Sequence, residues 1–325
     1  MMNSPVVSRT QEPHSGVSVV MCTCNGERWL EEQLASIEQQ TLPPDEVVIG
    51  DDASRDGTYG LLQDFSRRMP FPVHLTRHDP PLGVVENFEF TLSRARGKYV
   101  AFADQDDIWL PERLERGVAA IQALEGNGDV PVLSHADLIL MDAEGRDLGR
   151  RFLATRGLDA QPRDPLRVLL RHNLVTGCSV TINRALIERA RPFPENLVMH
   201  DWWLALVAAA IGKITLMDEP LVRYRQHDHN VVGAPPLVSA TGLSRVLSVT
   251  SARQALAAVY RQDLELGNLL GDELPPDIQR FIEAIPHGGW KLYRAAARAG
   301  IRPQGILRRI RFLFETIGSG YRRHL

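Results

Sequence analysis

The stretch Gly97-Lys98-Tyr99-Val100-Ala101-Phe102-Ala103-Asp104-Gln105-Asp106-Asp107-Ile108-Trp109-Leu110-Pro111 decides the fold. A short apolar run, Tyr99 to Ala103, empties into a knot of carboxylates. The run is bounded by Gly97 and the acids and is too short for a helix, so it reads as a strand buried on both faces. Asp104, Gln105 and Asp106 then stand at its carboxyl end. If the backbone stays extended for two more residues, alternation sends Asp104 and Asp106 to one side and Gln105 to the other. Two carboxylates in one small volume raise each other's pKa unless a cation lies beside them. A hard divalent ion such as Mg2+ or Mn2+ suits oxygen ligands of this kind. The plainer alternative is a solvated acidic turn leading into a helix that Pro111 begins.

Upstream, Val17 to Cys22 is a continuous apolar run and reads as a second buried strand, with Thr23, Cys24 and Asn25 following it into a helix over Glu27 to Gln39. There Leu30, Leu34 and Ile37 recur at i, i+4 and i+7, one stripe facing a core. Leu42-Pro43-Pro44 ends that helix. Glu46 to Gly50 is the next strand, and it too runs into acid, at Asp51-Asp52-Ala53-Ser54-Arg55-Asp56-Gly57-Thr58. A helix to about Met69 carries Leu61, Leu62 and Phe65 inward, and Val73 to Thr76 reads as another strand. Phe88, Leu92 and Ala95 mark a further amphipathic helix, which Gly97 can close as a C-cap. Beyond the central acids, Leu114, Val118 and Ile121 give the same inward stripe.

Strand and helix alternating in this way imply an α/β fold, a Rossmann-like, mostly parallel sheet with right-handed crossovers and helices on both faces. Ligands of such sheets gather outside the carboxyl ends of the strands. Thr23, Asp52 and Asp104 each follow a different strand, so they are expected at one edge and in one binding site.

The second half differs in texture. Val132 to His135 and Leu138 to Met141 read as strands around the turn signal Asp142-Ala143-Glu144-Gly145. Thr176-Gly177-Cys178 leads a short strand to Ile182, and Arg184 to Arg189 forms a short helix. Met199-His200-Asp201-Trp202-Trp203 then opens an apolar helix that Gly212 terminates. Asp201 there is either a first-turn carboxylate complementing the helix dipole or a general base between aromatic walls for a sugar ring. After a strand at Ile214 to Met217, the segment Arg223 to Asn230 is a flap over an anionic ligand or a solvated loop. Pro235-Pro236 suggests a linker. The chain thus divides into a tail over 1–16, a main domain over 17–233 and a helical C-terminal region over 241–325, broken at Pro275-Pro276 and Pro286.

At 325 residues the chain can bury a sizeable core. A net charge of -3 and a pI near 6.4 argue against a basic nucleic-acid binder, and no nucleic-acid partner is expected. Basic residues nevertheless crowd the C-terminal end, from Lys291 to Arg323, against Glu315 alone. Leu307, Ile310, Phe314 and Ile317 make one apolar face beside Arg308, Arg309 and Arg311, suited to peripheral membrane contact or to packing on its own domain. Cys22, Cys24 and Cys178 form neither an even disulfide framework nor a zinc set. With no apolar run of about 18 residues and a polar opening segment, a cytoplasmic protein is expected.

Taken together, Thr23-Cys-Asn-Gly-Glu27, Asp51-Asp52-Ala-Ser-Arg-Asp56-Gly-Thr58, Gly97-Lys-Tyr99, Asp104-Gln-Asp106-Asp107-Ile-Trp109, Pro111-Glu-Arg-Leu114, His200-Asp201-Trp-Trp203 and Tyr224-Arg-Gln-His227 resemble family 2 glycosyltransferases of the GT-A fold, over roughly residues 17–233. The resemblance implies transfer of a sugar from a nucleotide diphosphate, with inversion at the anomeric carbon. The acceptor it implies is a hydroxyl of a glycan or lipid-linked molecule in bacterial surface polysaccharide synthesis, and the cofactor is Mg2+ or Mn2+. By the same likeness Thr23, Asn25, Glu27, Asp52, Asn87, Asp104 and Gln105 bind the nucleotide sugar. Asp104, Asp106 and His227 hold the metal, with Asp106 the direct ligand, and Asp201 is the catalytic base. The Asp-Gln-Asp-Asp-Ile-Trp and His-Asp-Trp-Trp pair looks most like the rhamnosyltransferase-like subset, which would imply dTDP-L-rhamnose. Cys24, Ala53 and Arg55 depart from the family's usual residues, so the nucleotide base stays open, and His227-Asp228-His229-Asn230 departs from the usual His-Gly-Asn-Asn, which bears on the flap.

The chemistry agrees. A nucleotide diphosphate leaves readily only when its growing charge is met, which a divalent ion does without proton transfer. An attacking hydroxyl needs a carboxylate across the sugar to take its proton. Two other readings compete. One is a haloacid-dehalogenase-like phosphohydrolase with Asp104 as nucleophile and Asp106 as acid/base, which would put the motif on a first strand. The other is a carbohydrate-binding relic without catalysis. The sequence leaves the oligomeric state open.

Overall fold

The computed structural model describes residues 14–126, 129–195, 197–228, 230, 249–302, 305–318 and 320–325. Most of the expected tail, the linker near Pro235-Pro236 and His229 lie outside the described residues. The first half alternates as the periodicity predicts: β1 (His14–Thr23), α1 (Leu30–Glu38), β2 (Glu46–Asp51), α2 (Thr58–Arg68), β3 (Val73–Arg77), α3 (Val84–Arg94) and β4 (Gly97–Ala103). The order β3-β2-β1-β4 is parallel throughout. Alternation divides each strand between two cores. Val19, Met21 and Ile49 join Leu30, Leu34, Ile37, Leu62 and Phe65 on one face, and Val20, Val48 and Phe102 join Phe88 and Leu92 on the other. Helices therefore cover both sides, as a buried parallel sheet requires.

Two expectations about this stretch are corrected. Gly97 does not cap α3, which ends at Ala95; it opens β4, where a Cβ would stand 2.6 Å from the Ser18 backbone nitrogen and 2.8 Å from the Tyr99 carbonyl. Nor does the backbone stay extended past Ala103. It turns at Gln105 and Asp106 before β5 (Ile108–Trp109) and α4 (Arg113–Glu125), with Pro111 and Glu112 in a turn ahead of the helix.

The second half is built from β6 (Val132–Met141), β7 (Asp147–Arg151), α5 (Phe152–Arg156), α6 (Pro165–Leu169), β8 (Thr181–Asn183), α7 (Arg184–Ala190), α8 (His200–Ile211) and β9 (Lys213–Arg225). β8 lies antiparallel between β4 and β6, while β9 is parallel to β6 and antiparallel to β5. β6 runs unbroken through both segments expected as separate strands. β9 passes through Pro220 because its register against β6 slips between Met217 and Val222, leaving the missing N–H in a bulge.

α8 is apolar on every side, and each residue from His200 to Ala208 is buried. It sits under a C-terminal layer of α9 (Val249–Leu270), α10 (Pro276–Ala284), α11 (Gly289–Arg298) and α12 (Ile306–Gly318). Trp203, Tyr260, Phe281 and Tyr321 belong to one apolar core, and Arg189–Glu273 (2.6 Å) and Arg167–Asp277 (2.7 Å) tie the layers at their rims. Among the described residues no helix is long and apolar enough to cross a membrane.

Candidate active site

Parallel register aligns the strand ends: Thr23 faces Asp51, and Met21 faces Ala103. The residues after those ends emerge side by side and, with the start of α8, enclose a cavity of about 560 Å³. Thr23, Asn25, Asp52, Asn87, Asp104, Gln105, Asp106, Asp201 and His227 all line it. Glu27 does not. Its carboxylate accepts from the Gly57 N–H at 2.8 Å, bracing the loop after β1 against the loop after β2.

Several lining groups are already engaged with the chain. Thr23 Oγ1 donates to Asp51 (3.0 Å), and the two Asp52 oxygens accept from the Leu82 and Gly83 N–H groups at 2.6 and 2.9 Å. Asn87 Nδ2 donates to the Gly50 carbonyl (2.9 Å), and its Oδ1 lies 3.2 Å from His78 Nε2. Gln105 clasps Cys24 by both backbone groups, accepting from its N–H at 2.8 Å and donating to its carbonyl at 3.0 Å. Asn25 and Ala53, on the two loops, have φ near +51° and +57°. That region costs an L-residue about 1 kcal/mol, which these loops carry at the cavity mouth.

The acids form the floor. Burial and the charges of Asp106 and Asp201 push the Asp104 carboxyl well above its usual range. Asp106 Oδ2 lies 2.8 Å from His227 Nε2, and the imidazole stacks on Trp29 at 4.1 Å. Arg225, fully buried, rivets the acid turn: its Nε donates to the Asp106 carbonyl (2.8 Å), its backbone N–H to Asp107 (3.1 Å), and its Nη2 to Glu32 (2.9 Å). Asp107 is driven up by burial and by its acidic neighbours, and so is the adjoining Cys178 thiol. Asp104, Asp107 and Cys178 cluster closely, but a protonated thiol is a poor partner for a hard cation. The carboxylate oxygens of Asp104 and Asp106, both lining the cavity, are the donor set whose chemistry suits one.

Asp201 stands in the first turn of α8. Its Oδ1 accepts from Asn173 Nδ2 at 3.1 Å, and the Gly177 N–H also bonds the carboxylate. Burial prevails over these bonds and over the charge of Arg156, so the group is pushed up to about 6. Trp202 and Trp203, expected to flank a sugar, are core anchors instead. Their indole N–H groups donate to the Leu169 and Ala190 carbonyls at 2.7 and 2.9 Å. The aromatic walls are Trp29, Phe88 and Tyr224.

Sequence reasoning did not single out Arg225 or the Trp29 wall, and it took Asn173 only as the start of a loop, to Cys178, that shapes the acceptor pocket. A charged residue ending the otherwise extended run of β9 was the available signal for Arg225; nothing local marked Trp29.

A half-parallel sheet with acids gathered at its strand ends, closed by an antiparallel extension and a buried helix bearing one more carboxylate, defines a sugar transferase of the GT-A type. The chain belongs to glycosyltransferase family 2. The model of Glycosyl transferase family 2 matches residues 18–137. The chain is 34% identical over 218 residues to TuaG of Bacillus subtilis, assigned to teichuronic acid biosynthesis, covering 66% of this chain and 81% of TuaG. It is 26% identical over 227 residues to the dTDP-rhamnosyl transferase RfbG of Shigella flexneri, covering 66% and 74%. An uncharacterised protein of Mycobacterium tuberculosis is 29% identical over 218 residues, 66% of this chain, which spans only 60% of that relative's length. Among solved structures, S. aureus TarS 1-349 with UDP superposes with a TM-score of 0.54 at 18% identity, covering 95% of this chain and 88% of that one. The mannosyltransferase PcManGT of Pyrobaculum calidifontis, in complex with GDP-Man and Mn2+, gives 0.53 at 20%, covering 92% and 79%. The phosphohydrolase alternative falls with these findings, since the Asp-x-Asp motif follows β4 and not a first strand.

Proposed function

We propose that this chain is a metal-dependent, inverting glycosyltransferase acting from a nucleotide-diphosphate sugar onto a hydroxyl of a glycan or lipid-linked acceptor in bacterial surface polysaccharide synthesis. The observation that carries this reading is the meeting of Asp104, Asp106 and Asp201 in one cavity, from the end of β4 and the first turn of α8. Thr23, Asn25, Asp52, Asn87 and Gln105 shape the nucleotide end of the cavity, and Glu27 supports it from outside through Gly57. Asp104 and Asp106, with His227, would hold Mg2+ or Mn2+, whose charge offsets that of the departing diphosphate. Asp201, held by Asn173, takes the acceptor's proton as its hydroxyl attacks from the opposite face. The likeness to RfbG favours dTDP-L-rhamnose as donor, and the Mn2+ of PcManGT favours a metal. Residues 17–233 carry the transfer chemistry. The basic C-terminal region, 241–325, adds peripheral contact with the cytoplasmic membrane face.

Asp201→Asn tests the reading. Transfer is expected to fall by about 10²-fold or more, as when a general base is lost. Nucleotide-sugar affinity in the presence of Mn2+ should stay within about threefold. A parallel loss of binding would remove Asp201 from the role of base, and full activity would remove the mechanism.

A further inference from the structure

A second cavity, of about 260 Å³, lies beside the β6–β9 pair, and the reaction above does not use it. A single strip of chain borders both cavities: Leu174 and Val175 line this one, and the next two residues, Thr176 and Gly177, line the catalytic one. The strip is pinned at Asn173. The Val175 N–H donates to Asn173 Oδ1 at 3.0 Å, while Asn173 Nδ2 holds Asp201. His135 of β6 stands in register with Leu216 of β9, so the two side chains share a face of the sheet, and both border the cavity. Leu169 of α6 and the loop at Ala160 border it as well.

His135 sets this cavity apart from a packing defect. The residue is 2% exposed, yet among the described residues no hydrogen bond and no charged neighbour acts on its ring; burial alone holds it neutral, down to about 4. A neutral imidazole carries one donor and one acceptor. Burying both unbonded is costly, and an aliphatic side chain would fill the same place without that cost. The cavity also selects by charge. Among the described residues no charged side chain lines it, so an ionic guest would shed its hydration with no counter-charge to replace it. An uncharged guest with a hydroxyl would find His135 for that group and Leu169, Leu174 and Leu216 for its carbon frame. Size sets the last limit: a cavity of about 150 Å³ takes up benzene, so this one admits a six-membered ring with a substituent.

The geometry points to a second binding site, separate from the transfer site, for an uncharged, ring-sized alcohol whose hydroxyl bonds the His135 ring and whose carbon frame packs on the aliphatic lining. Calorimetric titration of the full chain tests it with cyclohexanol, cyclohexanecarboxylate and cyclohexylammonium, which share a frame and differ in charge. Cyclohexanol should bind saturably and at least about tenfold more tightly than either ion. His135→Leu removes the hydrogen bond and should weaken cyclohexanol about tenfold. Ala160→Phe fills the cavity from a half-buried loop position and should abolish binding, with a urea midpoint close to the parent's as the check on folding. Cyclohexanol that does not bind, an ion that binds as tightly, or affinity unchanged by either substitution would overturn the inference. So would displacement of cyclohexanol from the parent chain by UDP with Mn2+, which would make it a guest of the catalytic cavity.

Discussion

Asp201 combines two opposed influences at one carboxyl. Burial pushes it up to about 6, while Asn173 and the Gly177 N–H stabilise its anion. A general base works only when deprotonated, so kcat/KM should fall as the pH drops through about 6 and level off above it. Asn173→Ala removes a bond that favours the charged form. The acid limb should then move to higher pH, by roughly half to one unit for a single hydrogen bond. A pH–rate profile reads this directly, and an unmoved limb would take Asn173 out of the role. At this scale charge standing out against an apolar run pointed to Asp104, Asp106 and Asp201, which the fold brings to one cavity. The sequence was opaque where a side chain acts across the fold. Asn173 lies in a loop with no periodic pattern, and Trp202 and Trp203 look the same in sequence whether they line a cavity or plug a core.

Strand β4 shows what an element needs in order to deliver its acids. Gly97 lets β4 pass against β1, and the Gly97 N–H donates to Ser18 Oγ at 2.7 Å while Ser18 Oγ donates to Glu46. A methyl at Gly97 would press on backbone atoms of both strands, which cannot give way as a flexible side chain can. Gly97→Ala should therefore lower stability by about 2–3 kcal/mol, measurable as a shift of the urea midpoint with little change in slope. A shift under a few tenths of a kcal/mol would mean that the strands separate easily. The parallel half could be read from periodicity because each element there is a plain stripe or a plain apolar run. The second half was read in pieces, since β6 and β9 are long, bulged and partly polar, and Pro220 looks like an end when it sits in a register slip.

Across the whole molecule, the C-terminal layer leaves aromatic side chains outside the core: Trp290 is 58% and Phe314 71% exposed, among the basic residues of α11 and α12. Basic charge beside exposed aromatics suits an anionic bilayer surface. Co-sedimentation with phosphatidylglycerol vesicles should show binding that weakens with salt, and Trp290→Ala with Phe314→Ala should reduce it about tenfold. Equal binding to neutral phosphatidylcholine vesicles would reject an electrostatic contact. The charge excess of this end was plain in the sequence. Of the apolar face expected there, Leu307 and Ile310 have side chains outside the described residues, and Phe314 is the member that stands clear. Arg225 also bears on motion at the mouth of the cavity. Because it anchors the backbone two positions before His227, the Cα of His227 can lie no farther than about 7 Å from that of Arg225. Whatever yielding the entry of a substrate demands at that spot is a short local hinge, with the carboxylate floor left standing.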